Sequence, residues 1–325
     1  MDKLLLKKLI QAWGPSGRED EVRAILAEEA GKLCGDVTTD AVGNLTAHRK
    51  GSGKKILLCS HMDTCGVVVT EVDEKGFARI AGVGGAEPEA LTGRLVRFAN
   101  GTRAVAACAD GCEKPAFKDL HLDLGAQGRD AARAKADIGD MAVPCGETVV
   151  LGDRVAGFGV GDRIGCMVLL DVLRHDRSDA DLYVVFSAQE KVGGRGAGPA
   201  SWRIMPDFAV NVHAGIAGDA PGGKRSCLKL GAGCAIEVMD RRAVVPPVMR
   251  DRLRSAAEAA NVPVQTDALM PEETDAAALQ RAGAGTLLGV VSVPCRYRGT
   301  GTEVADIRDA ENAVRLLNEF LKENA

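Results

Sequence analysis

The stretch KKILLCSHMD, residues 54–63, decides the fold that we predict for this chain. Its apolar residues 56–59 run without interruption, and His61 and Asp63 follow them. A continuous apolar run of this length is typical of a strand that is covered on both faces of a sheet. We therefore predict a buried strand that carries a histidine and an aspartate at its carboxyl end.

Helical and strand patterns alternate on both sides of this strand. Leucines recur at helical spacing in DKLLLKKLIQAW, residues 2–13, and helical DRIGCMVLLDVLRH, residues 162–175, precedes the apolar DLYVVFSA, residues 181–188. This alternation predicts an α/β fold whose sheet has helices on both faces. Such sheets bind ligands at the carboxyl ends of their strands, so side chains that follow the strands should meet in one crevice. These are His61, Asp63, Glu190, Asn211 and the loop after Cys295.

The middle of the chain has a different character. Between residues 67 and 150, short β-rich pieces are separated by turn residues, with Gly76 and Gly101 at hairpin positions. We predict a β-rich domain at 67–150 that is inserted into an α/β domain formed by 1–66 and 151–325.

Composition excludes several classes of function. A chain of 325 residues with 46% hydrophobic content can bury a large core. A net charge of -4 and 3% aromatic residues supply neither the positive field nor the rings that nucleic-acid binding needs. The N-terminus lacks the unbroken apolar core of a signal peptide, and no apolar run approaches the ~20 residues that span a membrane. We expect a cytoplasmic protein that binds neither nucleic acid nor membranes.

The ten cysteines are scattered, and many lie in apolar strands, which favours reduced thiols over a disulfide framework. Cys108 and Cys112 form a single C-x3-C pair. A structural zinc site normally has a second such pair, so we do not predict zinc there.

Single residues at the strand ends leave their roles open. His61 with Asp63 suits a metal-bound imidazole that a carboxylate orients. A pattern this short also fits a buried histidine with a purely structural role. Glu190 is either a general base or a solvated carboxylate. Asp162 follows a glycine-rich segment that lacks the lysine of a phosphate loop, so a helix cap explains it better. His213 is either a ligand or a hydrogen-bonded loop histidine.

Nine motifs occur in an order that resembles metallopeptidase family forty-two. They are GPSG (14–17), TDAVGNLTA (39–47), HMDTCG (61–66), GDRIGC (161–166), QEKVGGRGA (189–197), AVNVHAGIAGDAPG (209–222), LGAGCAIEVMDR (230–241), ETDAAALQRAGAG (273–285) and PCRY with TEVADIRDAENAVRLL (294–297 and 302–317). Members of that family are dinuclear zinc or cobalt aminopeptidases that build tetrahedral shells, and some carry the name endoglucanase. The resemblance covers nearly the whole chain except the middle of the inserted domain, and it implies an α/β peptidase domain interrupted by a β-rich dimerisation domain.

The same resemblance implies five metal ligands, and this chain departs from most of them. His61 keeps its position as a ligand, Asp63 as its supporting carboxylate, and Glu190 as the general base. The other four ligand positions are changed, and the resemblance therefore implies a degenerate metal site. They hold Gly161 and Asn211 in place of aspartates, Lys191 in place of a glutamate, and Gly299 in place of a histidine.

Three of these changes alter the charge of the site in the same direction. Carboxylates that crowd around two metal ions tolerate one another because the cations neutralise them. Here three such positions have lost their negative charge, and Lys191 adds a positive one. A zinc site needs at least three protein ligands, which His61 and Glu190 alone do not provide. If the loops around the site have moved, the substitute metal ligands would be Asp162, His213 and Asp219.

Two hypotheses of function follow from the sequence. The first is a pseudo-enzyme that keeps the fold and the cleft, has no metal cofactor, and acts as a binding, scaffold or regulatory subunit. The second is an active aminopeptidase that removes N-terminal residues from peptides with a rebuilt or single-metal site holding zinc or cobalt. Both imply at least a homodimer and a peptide or small molecule in the cleft.

We further predict one pocket in which the Lys191 ammonium lies near Glu190 or Asp63. His61 and Asn211 complete the set that should converge there.

Overall fold

The chain forms a large mixed sheet and a separate small barrel in a computed structural model that describes residues 1–109, 111–223, 226–268 and 273–325. The strands in these ranges are β1 (Asp36–Thr39), β2 (Leu45–Arg49), β3 (Lys55–His61), β4 (Gly66–Val72), β5 (Phe77–Val83), β6 (Arg94–Phe98), β7 (Arg103–Cys108), β8 (Leu120–Asp123), β9 (Met141–Pro144), β10 (Val149–Leu151), β11 (Arg154–Gly157), β12 (Asp181–Ser187), β13 (Phe208–Ile216), β14 (Cys234–Glu237), β15 (Val264–Asp267), β16 (Leu287–Arg296) and β17 (Glu303–Asp306).

Helices follow or separate most of these strands. They are α1 (Lys3–Gln11), α2 (Asp20–Gly31), α3 (Pro88–Leu91), α4 (Arg129–Arg133), α5 (Val160–His175), α6 (Ala197–Ile204), α7 (Pro247–Ala259), α8 (Ala276–Gln280) and α9 (Ile307–Asn324). None of the helices in the described ranges is long and apolar enough to cross a lipid bilayer.

The strand predicted from residues 54–63 lies inside the large sheet. Within the described residues that sheet has eleven strands, in the order β1-β2-β12-β3-β13-β16-β17-β11-β10, with β14 paired to β16 and β15 paired to β14. Leu58 of β3 lies opposite Val184 of β12 and Val210 of β13, and both pairings are parallel. The prediction that the strand ending at His61 shares a sheet with Val184 is confirmed. The carboxyl ends of β3, β12, β13 and β16 meet at one edge, because β16 is also parallel to β13.

Helices cover both faces of the sheet. Consecutive residues of a strand point to opposite faces. Cys59 Sγ lies 3.8 Å from Asp275 Oδ2, immediately before α8. The next residue, Ser60, faces α5, where a methyl group added at Gly165 would overlap Ser60 Oγ. The α/β class and the two-sided covering are therefore as predicted.

The inserted β-rich region is a closed barrel with its own hydrophobic core. Its strands follow the order β4-β5-β8-β7-β6-β9 and lie between residues 66 and 144. Gly76 and Gly101 lie in the β4–β5 and β6–β7 hairpins, with φ of 93° and 85°, which a side chain disfavours. Val149 and Val150, which we assigned to the insert, lie instead in β10 and pair with β11 of the large sheet.

The close approach of α5 to β3 gives a testable prediction. We expect Gly165→Ala to destabilise the protein by about 1–3 kcal/mol, because its methyl group overlaps Ser60 Oγ and lies 2.8 Å from the Val212 carbonyl oxygen. Gly31→Ala, at the end of α2, is the control, because nothing lies within 4 Å of the added carbon. Urea unfolding followed by circular dichroism measures both variants. Equal free energies of unfolding for the two would contradict the packing of α5 on β3.

Candidate functional site

Asp63 fixes the loop after β12 against the end of β3. Its fully buried carboxylate accepts hydrogen bonds from Ser16 Oγ at 2.6 Å, from the N–H of Glu190 at 3.1 Å and from the N–H of Lys191 at 3.0 Å. His61 Nδ1 lies 3.1 Å from the carbonyl oxygen of Asp63 and 3.4 Å from its Oδ1. Burial opposes ionisation of Asp63, but the hydrogen bonds from His61 and Ser16 hold its pKa below the usual range.

Glu190 presents a carboxylate to the same place. The preceding residue, Gln189, has φ of 60°, which is uncommon for a residue other than glycine, and its N–H donates to Glu19 Oε1 at 3.0 Å. Glu190 Oε2 lies 3.9 Å from His61 Nδ1, and the Glu190 side chain is 9% exposed. Among the described residues the Glu190 carboxylate accepts no hydrogen bond. Burial opposes protonation of His61, but the Glu190 charge and the Asp63 hydrogen bond raise the pKa of His61 to about 9.

The Lys191 ammonium pairs with Asp162. Its Nζ lies 2.9 Å from Asp162 Oδ1. We predicted that this ammonium lies near Glu190 or Asp63; its ion pair is with Asp162, which approaches from α5 and offers a buried carboxylate that also needs a counter-charge. Burial alone would lower the pKa of Lys191, but the charge of Asp162 raises it above its usual range. The charge of Glu190 also contributes to raising the pKa of Lys191.

Asp162 belongs to the first turn of α5 and does not cap it, since the helix begins at Val160. Its Oδ2 accepts a hydrogen bond from Thr64 Oγ1 at 2.6 Å, and its Oδ1 is also 3.2 Å from Arg298 Nη1. Burial opposes ionisation of Asp162, but the charges of Lys191 and Arg298 hold its pKa well below the usual range. The cap interpretation is therefore wrong, because two cations and a hydroxyl engage this carboxylate.

Arg298 is the residue of the site that sequence reasoning missed. Its Nη1 lies 3.2 Å from Glu303 Oε1, and Glu303 accepts the N–H of Gly161 at 2.7 Å and the N–H of Gly299 at 3.0 Å. The guanidinium fills the space that a side chain at position 161 would need, with its Cζ 2.8 Å from an ideal Cβ there. The sequence contains a signal for this role of Arg298, because a glycine at position 161 occurs together with an arginine directly before position 299.

Asn211 and His213 are both buried on β13. Within the described residues, Asn211 Nδ2 has no hydrogen-bond partner. His213 Nε2 lies 3.0 Å from Glu237 Oε1, and His213 Nδ1 lies 3.1 Å from the carbonyl oxygen of Ala214. Burial opposes protonation of His213, but the charge of Glu237 raises its pKa. The imidazole of His213 is therefore engaged by Glu237.

Asp219 is engaged elsewhere. Its carboxylate forms a two-point ion pair with Arg296, with distances of 2.7 Å to Nε and 2.6 Å to Nη2, and it accepts the N–H of Leu230. Such a pair holds both carboxylate oxygens in a fixed geometry.

The described residues contain one group of three ligand-type side chains whose ligand atoms lie within 4.8 Å of one another, and it consists of His61, Asp63 and Glu190. Asp162, His213 and Asp219 are not members of it. Both oxygens of Asp63 already accept hydrogen bonds, and the carboxylate of Asp162 is paired with the Lys191 and Arg298 cations. The residues present therefore do not fit a dinuclear metal centre, which needs several unengaged carboxylates around two cations.

A cavity of about 440 Å³ lies at this edge of the sheet. Its lining includes Glu190, Lys191 and Gly299, together with Gly84 and Gly85, which directly follow β5 of the barrel. It also includes Asp162, Arg298, Glu303, Thr274, Glu87 and the charged residues Arg241, Arg242, Glu273 and Arg281. The cavity thus lies between the barrel and the carboxyl ends of the strands.

Asp275 gives the site a pH dependence. Its buried carboxyl accepts hydrogen bonds from Ser187 Oγ and Cys59 Sγ. Burial and the charge of Glu190 raise the pKa of Asp275 to about 7. The folded protein therefore holds a proton that the unfolded chain releases near pH 3.8, so this carboxyl lowers stability as pH rises from about 4 to about 7.

We expect Asp275→Asn to flatten that part of the pH profile, because the amide cannot ionise. Urea unfolding at a series of pH values between 4 and 8 measures it, and the difference between wild type and variant isolates this group from others that titrate. A constant difference across the series would contradict the raised pKa of Asp275.

Comparison with solved structures defines the class of protein. An aminopeptidase from the archaeon Desulfurococcus kamchatkensis gives a TM-score of 0.94 at 32% identity and covers 98% of this chain and 94% of that one. The TET1 peptidase of Pyrococcus horikoshii, which can assemble into a tetrahedron or a large octahedral shell, gives a TM-score of 0.88 at 27% identity and covers 98% and 99%. The fold is that of these aminopeptidases.

Sequence comparison then gives the family. Residues 43–316 match the profile of the M42 glutamyl aminopeptidases. A lysyl aminopeptidase of Pyrococcus furiosus is 30% identical over 342 residues, which cover 99% of this chain and 97% of that relative. The chain belongs to the M42 aminopeptidase family, as its motifs predicted.

Proposed function

We propose that this chain is a pseudo-enzyme of the M42 family, which binds the amino terminus of a peptide in its cleft without a dinuclear metal centre. The observation that carries the proposal is the buried ion-pair network in which Lys191 Nζ and Arg298 Nη1 lie 2.9 Å and 3.2 Å from Asp162 Oδ1. These side chains supply positive charge where the family resemblance implies metal ions. The network also gives Asp162 the counter-charge that a buried carboxylate needs.

The Glu190 carboxylate, rather than the net charge of the cavity, favours a cationic ligand, because five acidic and five basic side chains of the described residues line the cavity. Protonated His61, Lys191 and Arg298 face the carboxylates of Asp63, Asp162, Glu303 and Glu190. Asp162 and Glu303 are paired, and both oxygens of Asp63 accept hydrogen bonds, so Glu190 is the carboxylate of this set that a ligand can engage.

Glu190 also has the position that an amine ligand requires. It lines the cavity, and its carboxylate accepts no hydrogen bond from the described residues. An ammonium group that enters the cavity can donate to it, and such a charge-assisted hydrogen bond is stronger than a neutral one. The cavity volume of about 440 Å³ lies in the range of small-molecule sites, which suits the first residues of a peptide.

A second candidate function is an active aminopeptidase with a single metal ion. The group formed by His61, Asp63 and Glu190 favours it, as do the names of the relatives. That function requires hydrolysis and bound metal, whereas the first requires peptide binding without either.

Metal content and hydrolysis separate the two. The protein is incubated with zinc or cobalt, desalted, analysed for metal and assayed with aminoacyl-nitroanilides. We expect far less than one ion per chain and no hydrolysis above background. A bound ion at near-stoichiometric level together with turnover would establish the second candidate instead.

Titration calorimetry tests the ligand. We expect a peptide with a free amino terminus to bind and its N-acetylated form to bind at least tenfold more weakly, because acetylation removes the charge. Glu190→Gln should produce a similar loss for the free peptide, whereas Glu87→Gln, which changes a carboxylate on the barrel side of the same cavity, should not. Equal binding of both peptides would contradict the role of Glu190.

We also propose that the chain self-associates, at least as a dimer, through the region predicted as an inserted dimerisation domain at 67–150. The shell assemblies of the structurally similar TET1 peptidase support this. Analytical ultracentrifugation at micromolar concentration tests it, and a monomer under those conditions would contradict it.

A further inference from the structure

A second cavity lies where α1, the barrel and the beginning of α5 meet. Its volume is about 590 Å³, which exceeds that of the cavity at the strand ends and lies within the range of small-molecule sites. The lining includes Lys7 and Gln11 of α1, Arg97 and Arg103 of the barrel, and Arg163 of α5. The chain therefore has room for a second small ligand.

The charge of this second cavity is opposite to that of the whole chain. Within the described residues its lining has four basic side chains and one acidic side chain, that of Glu147, whereas the chain has a net charge of -4. A concave surface lined mainly by charges of one sign concentrates ions of the opposite sign. The lining therefore favours an anion.

Two of the arginines are neighbours on the outside of the barrel. Arg97 of β6 lies directly opposite Arg103 of β7 in the antiparallel ladder, so both side chains are on one face. That face is the outer one, because the adjacent residue Val96 belongs to the barrel core. Within the described residues, the ion pairs of these two arginines are limited to that of Arg97 Nη2 with Glu21 Oε1, at 3.7 Å. Like charges directly opposite each other destabilise a sheet, and an anion bound between them relieves this repulsion.

Arg163 adds a buried charge to the same cavity. Its residue is 1% exposed, and its guanidinium donates to the backbone carbonyl oxygens of Leu9, Met62 and Gly14. These bonds engage its N–H groups, but no carboxylate of the described residues forms an ion pair with it. A buried charge without an opposite charge is costly. An anion in the cavity supplies that opposite charge.

We propose that the second cavity is a binding site for a small molecule that carries a diphosphate group. Four cations against one carboxylate match an anion with several charges better than one with a single charge. Guanidinium groups pair with phosphate oxygens through two parallel hydrogen bonds, which makes arginine the residue suited to this ligand. The volume of the cavity leaves space for an organic group beside the phosphates.

This site is a neighbour of the cleft and is independent of the peptide-binding function proposed above. Glu190 does not line the second cavity, whereas Phe158 lines both cavities. Thr64 lines the second cavity, and its Oγ1 donates to Asp162 Oδ2 at 2.6 Å. A ligand of the second cavity therefore lies against a residue that supports the Asp162 ion-pair network.

Titration calorimetry of the full chain with inorganic pyrophosphate tests the proposal, in a metal-free buffer of low ionic strength. We expect the wild type to bind, and the double variant Arg97→Gln, Arg103→Gln to bind at least tenfold more weakly, because both guanidinium groups are gone. The matched control is Lys75→Gln, Arg79→Gln, which removes two positive charges of the barrel that do not line the cavity. It should bind as the wild type does.

Two outcomes of the calorimetry would overturn the proposal. They are the absence of binding to the wild type at millimolar pyrophosphate, and equal weakening by both double variants. Circular dichroism confirms that the variants fold. A nucleoside diphosphate, titrated in the same way, identifies the source of the group. Tighter binding than that of pyrophosphate indicates an organic ligand, and equal binding indicates that the diphosphate group alone is recognised.

Alkylation of Cys145 locates the bound anion without any substitution. This cysteine lines the second cavity, is partly exposed and has a free thiol. We expect pyrophosphate to slow its reaction with iodoacetamide several-fold, whereas exposed Cys227, which does not line the cavity, reacts at an unchanged rate. Mass spectrometry of the digested protein measures both rates. Binding of pyrophosphate without protection of Cys145 would place the anion elsewhere and overturn the proposal.

Discussion

Introducing the four ligands that the family resemblance implies will not produce tight zinc binding while Arg298 is present. The variant Gly161→Asp, Lys191→Glu, Asn211→Asp and Gly299→His regains every implied ligand, but the Arg298 guanidinium occupies the space that the new aspartate needs. Arg298 also keeps a positive charge beside the intended metal positions, which repels a divalent cation. The arginine is therefore a second obstacle to zinc binding, beside the residues at these four positions.

We expect the five-substitution variant that also contains Arg298→Ala to bind up to about two zinc ions per chain, and the four-substitution variant far less than one. Position 299 has open space around it, although its φ of 74° will strain a histidine by about 1–2 kcal/mol. Zinc content after desalting and competition with a chelator measure the difference. If the four-substitution variant binds zinc as well as the five-substitution variant, Arg298 does not block the site.

Removing the charge of Asp162 will strongly destabilise the fold. Asp162→Asn leaves the Lys191 and Arg298 cations buried with one fewer carboxylate to neutralise them. Removing one partner of a buried ion pair lowers the free energy of unfolding by about 3–5 kcal/mol. Urea unfolding at neutral pH measures the loss.

Asp137→Asn is the matched control, since Asp137 pairs with Arg133 at 2.8 Å and both side chains are exposed. Its free energy of unfolding should be indistinguishable from that of the wild type, because exposed pairs contribute little. The low pKa of Asp162 means that its contribution is present above the usual carboxyl pKa of 3.8 and is lost only as pH falls through the lower folded value. Equal stability of the two variants at pH 7 would contradict the network's role in replacing metal charge.

The sequence predicted the sheet better than it predicted the side-chain pairing within the site. Short local patterns were enough to predict β3, from its apolar run, and the two barrel hairpins, from their glycines. The structure places both as predicted. The end of the insert was misplaced, because exposed Val149 and Val150 have the same β-rich character in the large sheet as in the barrel.

The pairing of Lys191 with Asp162 and Arg298 had no local signal. These residues come from three separate segments of the chain, and only the tertiary fold brings them together. The family resemblance implied which positions depart from the metal ligands. It did not identify which neighbour would compensate, because compensation depends on the direction of side chains across the cleft.

The hydrogen bonds of Asp63 have a consequence for how this lineage could diverge. The N–H groups of Glu190 and Lys191 are held by Asp63, which is in turn held by Ser16, and none of these bonds involves a residue at the four altered positions through its side chain. The loop therefore keeps its shape whichever side chains positions 161, 191, 211 and 299 carry. Substitutions at these four positions can therefore change the chemistry of the cleft while the loop that presents it stays in place, so the architecture of the site and its chemistry can diverge separately.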